Sequence, residues 1–489
     1  MLRRLVYIFF GISLALTSCK HDAPTPPVGD GNYPADVAEI IMNKCISCHN
    51  EANYKASGGL RLDTWAKLFE GGSNGAAVVP FSSEFSPLLY FINTDPSLGV
   101  VSQPRMPEGQ DAQPLSKDEY LTIANWIKNG APDKSGNIAF STDAATRQKV
   151  YMSLQGCDLI GVIDAQTNTI MRYIKVGRTD GIAEVPHAVR FTQDGKYAFV
   201  TLYAGNIIQK IDAATDQVVS TEDLSSIPGN QWNIVFPSAD GSKFTATEYN
   251  TGKLLYFDYT NKSNNRIITD LTGAHGIASN PAFDTFYVTA QTGNMIYKTS
   301  RSGLVSKISL DNNPPSTQTS TKDPHEIIMS PDFSKYFVTC QKSNELVIMD
   351  RATDKPVKTL KLGAYPQEVA MSKSSPYLFV SCMEDKPKTV GNITYKGTVY
   401  IINYNTNNVE RVIEGNFSYV HGLTVDDKNN RLYIASRNLE AGDGPAPHHT
   451  SSCGGKNGYY NVYDLSTLQL IDKRFEVTPD PYSLDVRFK

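Results

Sequence analysis

Residues Pro186–Asn206 read PHAVRFTQDGKYAFVTLYAGN, two β-prone runs parted by Gln, Asp and Gly. The pattern returns as AHGIASNPAFDTFYVTAQTGN from Ala274, PHEIIMSPDFSKYFVTCQKSN from Pro324, PQEVAMSKSSPYLFVSCM from Pro366 and VHGLTVDDKNNRLYIASRN from Val420. A weaker copy, WNIVFPSADGSKFTATEYN, starts at Trp232. Most copies continue into a strand ending near Ile-Asp, Phe-Asp, Met-Asp or Tyr-Asp. About four strands per unit, at a period of about forty to fifty residues, is the pattern of a propeller blade.

Six copies are complete. The chain ends in PYSLDVRFK, the first strand of a seventh unit, and the strands that unit lacks stand earlier as KVYMSL, LIGVIDA and TIMRYIKV. The last strand is therefore expected to complete the blade begun near Lys149. Closing the ring in this way hides the sheet edges. Residues 138–489 are read as an all-β, seven-bladed propeller. The tokens FYVTAQTGN and YFVTCQKSN resemble the YVTN family of such propellers across nearly all of this half. That family includes surface-layer proteins, lactonase-like enzymes and relatives of the propellers in haem-bearing nitrite reductases. The resemblance implies a fold and leaves the function open.

The chain begins differently. Arg3 and Arg4 precede an apolar run, Leu5–Leu16, that is short for a membrane span. Leu16-Thr17-Ser18-Cys19 follows and resembles a bacterial lipobox. Residues 1–18 are expected to be a lipoprotein signal peptide, with Cys19 lipidated. Residues 19–32, rich in Pro, Gly and Asp, are expected to be a flexible tether. The expected setting is the bacterial cell envelope, at the outer membrane or facing the periplasm, held by the N-terminal lipid. Lys20 after the cysteine favours the outer membrane, by resemblance to known sorting patterns. With 40% hydrophobic residues and a net charge of −4, the composition argues against a nucleic-acid partner.

Residues 33–135 form a third texture, read as a small all-α domain. ADVAEIIMNKCISCH places Val37, Ile40 and Ile41 at helical spacing, so the Cys45-x-x-Cys48-His49 motif ends a short helix. A second helix is expected in LSKDEYLTIANWIKNGAP. Ser116 and Glu119 form its capping box, Leu121, Ala124, Trp126 and Ile127 its apolar side, and Gly130 and Pro132 its end. Cys-x-x-Cys serves zinc, a redox dithiol or haem. Zinc calls for a second ligand pair, which this domain lacks. A thioredoxin-like dithiol follows a strand, not a helix. Haem c takes two thioethers and the adjacent His as iron ligand, and His49 stands in that place. Met106, in the proline-stiffened QPRMPEG, is the candidate for the other axial position.

The stretch GGLRLDTWAKLFEGGSNGAAVVP, with SPLLYFI, RMPEG and LSKDEYLTIANWIKNGAP, resembles the planctomycete-type cytochrome c domain. The likeness covers about a fifth of the chain. It implies one haem c on Cys45 and Cys48, with His49 and Met106 as axial ligands.

One more feature stands out in the propeller. The first strand of each blade lines the channel, and its entrance residues are His187, Asn233, His275, His325, Gln367, His421 and Tyr482. The enlarged loop of the sixth blade adds His448, His449 and Cys453 on the same side. One reading is a His-lined site for copper or another metal, fed by the haem. The plainer and favoured reading has these imidazoles bracing loop carbonyls. Cys157 and Cys453 occupy matching loops of neighbouring blades, so a disulfide is open to them, while Cys340 and Cys382 read as buried thiols.

Together these readings describe a membrane-anchored c-type cytochrome that passes electrons through one haem to or from a redox partner protein. Its propeller binds a partner or holds a redox metal, which would make the chain a periplasmic oxidoreductase. The alternatives are a non-catalytic platform for protein or glycan, and, ranked last, a lactonase-like hydrolase.

Overall fold

The structure, a computed structural model, describes residues 29–109, 112–178, 183–318, 321–438, 453, 455–471 and 473–489. Cys19, His448 and His449 lie outside them.

Among the described residues, four α-helices precede the first strand. They are α1 (Ala35–Lys44), α2 (Trp65–Leu68), α3 (Pro87–Ile92) and α4 (Lys117–Lys128). Helix α4 opens on the expected capping box, with the Glu119 N–H donating to Ser116 Oγ and the Ser116 N–H to Glu119 Oε2. Its buried face is Tyr120, Ile123, Trp126 and Ile127, while Leu121 and Ala124 are only partly covered. The inner stripe is thus rotated from the expected one, following i, i+3, i+7 from Tyr120. That face packs on Tyr33, Val37, Ile41, Leu62, Leu89 and Ile92. Asp30–Asn32, the end of the stretch read as a tether, are bonded into this domain. The Trp65 N–H donates to the Gly31 carbonyl (2.8 Å), and Asn32 Nδ2 to Asp133 Oδ2 (3.1 Å).

Among the described residues, seven four-stranded antiparallel sheets follow, and a separate two-stranded sheet (Lys388–Val390 with Ile393–Tyr395) is inserted between the second and third strands of one of them. We number the blades from the channel strands Pro186–Phe191, Trp232–Pro237, Ala274–Ser279, Pro324–Met329, Pro366–Met371, Val420–Asp426 and Pro481–Val486. Blade seven joins Pro481–Val486 to Lys149–Leu154, Leu159–Asp164 and Ile170–Lys175, as the sequence predicts. Both ends of the propeller chain therefore share one sheet, and no sheet is left open there.

A repeated clasp explains the Val-Thr token. The Ala188 N–H donates to Thr201 Oγ1 (3.1 Å), whose hydroxyl donates to the carbonyl of Asn233 in the next blade (2.6 Å). Thr247, Thr289, Thr339 and Ser153 make the same two bonds toward His275, His325, Gln367 and His187. One hydroxyl thus satisfies a donor in its own blade and an acceptor in the next, locking the register between sheets.

The helical domain sits on the outer strands of blades six and seven. Val79 is buried among Phe475, Val477 and Ile170, and the Phe85 and Tyr173 rings meet edge to face at 5.4 Å. The Glu476 N–H donates to the Asn74 carbonyl (2.9 Å), and the Arg172 guanidinium lies over the Phe81 ring. The Cys157–Cys453 disulfide ties these same two blades together.

Candidate functional site

The Cys45–His49 turn is set by the end of α1. Cys45 caps the helix, its N–H bonded to the Ile41 carbonyl (2.9 Å), and the His49 N–H donates to the Cys45 carbonyl (3.1 Å). The turn therefore continues the helical winding past Lys44, which carries Cys45, Cys48 and His49 round one short coil. Cys45 is partly buried against the helical core, and burial first, then the neighbouring Cys48, pushes its thiol up to about 12. Cys48 is exposed, and neither is in a disulfide.

His49 is held by a residue that sequence reading did not single out. Its Nδ1 lies 3.1 Å from the carbonyl oxygen of Leu60, and its own carbonyl accepts from the Leu62 N–H (2.8 Å). A carbonyl can only accept, so Nδ1 carries the proton and Nε2 keeps its lone pair. Burial lowers the His49 pKa, with the Leu60 bond opposing, so the ring is neutral at neutral pH. A neutral imidazole oriented through its far nitrogen is the form that ligates a metal. Met106 belongs to the same helical core. Its N–H donates to the Phe91 carbonyl at the end of α3 (2.8 Å), and its side chain packs on the core that also receives Cys45 and Leu60. Two reduced thiols, one neutral imidazole with a free Nε2 and a thioether on the shared core fit haem c.

In the propeller, the four entrance histidines converge at the neck of the channel, together with Tyr482. His275 and His325 have ring centroids 4.1 Å apart; His187 lies 5.8 Å from His275 and His421 5.9 Å from His325. Tyr482 stacks on His421 (3.7 Å) and meets His187 edge-on (4.5 Å). The favoured expectation for these rings also has support. The Nδ1 atoms of His275 and His421 face the carbonyls of His325 (3.2 Å) and Tyr482 (3.1 Å).

Sequence reading passed over the layer just below. Glu326 and Glu368 are buried in the channel wall, and Arg190 pairs with Glu368 (3.1 Å) and donates to Ser483 Oγ (2.6 Å). The signal was present in the tokens Pro-His-Glu and Pro-Gln-Glu. Strict alternation hides it, because a residue next to an inward-facing one should point away. Each of these strands carries a bulge, between Pro324 and Ile327 and between Pro366 and Val369. The bulge lets consecutive side chains face the channel.

A helical domain with a Cys-x-x-Cys-His turn, mounted on a closed propeller, defines a cytochrome–propeller protein. The Planctomycete cytochrome C family model matches residues 45–107, from the first motif cysteine to the proline after Met106. This stretch is a cytochrome c domain of that family, which implies haem c and a haem-related role. No curated protein matches the chain. Among solved structures, a functionally unknown protein from Desulfotomaculum acetoxidans shares the fold at 13% identity and TM-score 0.50, over 69% of this chain and 98% of that one. Kuenenia stuttgartiensis hydrazine synthase aligns at 16% identity and TM-score 0.48, over 63% and 92%. Dihydro-haem d1 dehydrogenase NirN aligns at 12% and 0.46, over 92% and 98%.

Proposed function

We infer that this chain is an electron-transfer protein of the bacterial envelope, lipid-anchored through Cys19, with one haem c on Cys45 and Cys48. His49 is the proximal iron ligand and Met106 the distal one. Haem c supplies a one-electron couple; the chain supplies its attachment, its ligands and its surroundings. Cys45 and Cys48 prevent loss of the group, Leu60 orients the His49 ring, and the core under Cys45 and Met106 excludes water. The electrons pass to or from a separate redox partner protein. The propeller, read as YVTN-type, is the rigid seat that presents the cytochrome domain to that partner. The observation that carries this reading is the His49–Leu60 bond (3.1 Å), which orients the imidazole of the motif as a metal ligand would need to be.

The test is maturation of the full chain in a host competent for haem c. The expected product retains one haem through denaturation, and Cys45→Ala with Cys48→Ala abolishes this. Met ligation raises a haem potential, so Met106→Ala should lower the midpoint potential at unchanged haem content. A colourless wild-type chain overturns the haem reading; an unchanged potential removes Met106 from the iron.

A further inference from the structure

We propose that the neck of the propeller channel is a second metal site, in which His275, His325 and Glu326 ligate one divalent first-row transition ion. The inference rests on the propeller alone and stands or falls separately from the haem.

The geometry comes first. The three residues offer donor atoms that all lie within 4.8 Å of one another, and all three side chains are buried. Tetrahedral donors about 2.1 Å from zinc sit roughly 3.4 Å apart, so small side-chain rotations close the set. His275 and His325 come from matching positions of adjacent blades, and their rings are 4.1 Å apart. Glu326 joins them only because of the bulge in its strand. The Thr339 hydroxyl accepts from the Glu326 N–H at 3.0 Å and fixes that bulge.

The electrostatics point the same way. Two carboxylates, Glu326 and Glu368, are buried side by side, with the guanidinium of Arg190 between blades. Arg190 pairs with Glu368, and Glu326 Oε1 has no hydrogen-bond partner among the described residues; it lies 3.9 Å from His275 Nδ1. A buried carboxylate without a cation is costly. A divalent ion adds a second positive charge to two buried carboxylates that share one guanidinium. Two imidazoles and one carboxylate select transition metals over calcium or magnesium, which take oxygen donors. His187, His421 and Tyr482 form the surrounding ring and shape the space around the ion.

Zinc is the probe. The haem-loaded full-length protein is stripped with chelator, incubated with excess Zn2+, passed through a desalting column and assayed for zinc and haem in the same fraction. We expect one zinc per chain, a raised melting temperature on zinc addition, and loss of both in Glu326→Gln and His325→Ala at unchanged haem content. Glu326→Gln keeps the side-chain shape and removes a buried charge, so it should fold. No zinc in the wild type, or zinc retained in both variants, overturns the proposal. The haem content of the same samples tests the electron-transfer reading independently.

Discussion

Val150 and Val486, one from the first strand of the propeller and one from the last, face each other across the antiparallel pair that closes the ring. Both are fully buried in the core between blades six and seven. Removing Pro481–Lys489 would expose that core, open an edge on Lys149–Leu154, and delete the Ser483 N–H that donates to Ser153 Oγ (2.9 Å). Because the loss falls at the closure, the whole ring should respond. The truncated chain should melt in a broad transition well below the intact one, by ten degrees or more on the order of several kcal/mol. An unchanged melting temperature would show that closure contributes nothing.

The clasp hydroxyls offer a finer test. Thr339 Oγ1 accepts from the Glu326 N–H (3.0 Å) and donates to the Gln367 carbonyl (2.9 Å), all buried. Thr339→Val preserves shape and strands one donor and one acceptor. The expected cost is about 1–3 kcal/mol, read by denaturant unfolding. Exposed Thr406→Val, in a turn of blade five, should change stability by less than about 0.5 kcal/mol. Equal effects for the two would remove the clasp as a stabilising device.

Much of this architecture is written locally. Each copy of the repeat spells out one blade within a short stretch of chain, so six copies announce themselves, and the closing blade follows from the strands left over. The Cys-x-x-Cys-His turn is equally local, since Cys45 to His49 span one coil at the end of α1. What stays hidden depends on partners distant in sequence or on broken periodicity. Glu326 faces the channel because of a bulge, and bulges do not show in an alternation pattern. Leu60 holds His49 with its backbone, to which the side-chain type is indifferent. Val79 finds Phe475 across nearly the whole chain, and nothing in AAVVPF marks it as a mounting residue. The convergence of four histidines was visible as a repeat position; that His275 and His325 come within ring contact needed the coordinates.

Acid should loosen blade four through one carboxylate. Burial alone would raise Glu345, but hydrogen bonds from Lys322 (2.5 Å) and Lys361 (2.6 Å) outweigh it and pull the group down to about 2. Its folded pKa lies below the unfolded value of 4.5, so the unfolded chain binds the proton first. The stabilisation is fully present above pH 4.5 and is lost as pH falls towards 2. Allowing for the exposed Lys361, it amounts to about 2 kcal/mol. Glu345→Gln should therefore be less stable than wild type at pH 7, with the gap closing between pH 4.5 and 2. A gap that stays constant over that window would show that the carboxylate charge is not what stabilises the blade.

The mounting of the cytochrome domain bears directly on the proposed electron transfer, because it sets where the Cys45–His49 turn stands relative to the propeller. Val79 is the deepest residue of the contact: it is 1% exposed and lodged against Phe475, Val477 and Ile170, while Ala77 and Val78 beside it stay on the helical core. Burying a valine contributes about 1.5–3 kcal/mol, and a charge at the same place adds a desolvation cost of several kcal/mol. Val79→Asp should thus release the helical domain from blades six and seven without unfolding either part. The linking segment around residues 136–146 should become sensitive to protease, and small-angle scattering should report a larger radius of gyration. Haem content should not change, since Cys45 packs on the helical core and Val79 on the separate core of blades six and seven. If the variant keeps the wild-type scattering profile and protease resistance, the two parts are held together by something other than this contact.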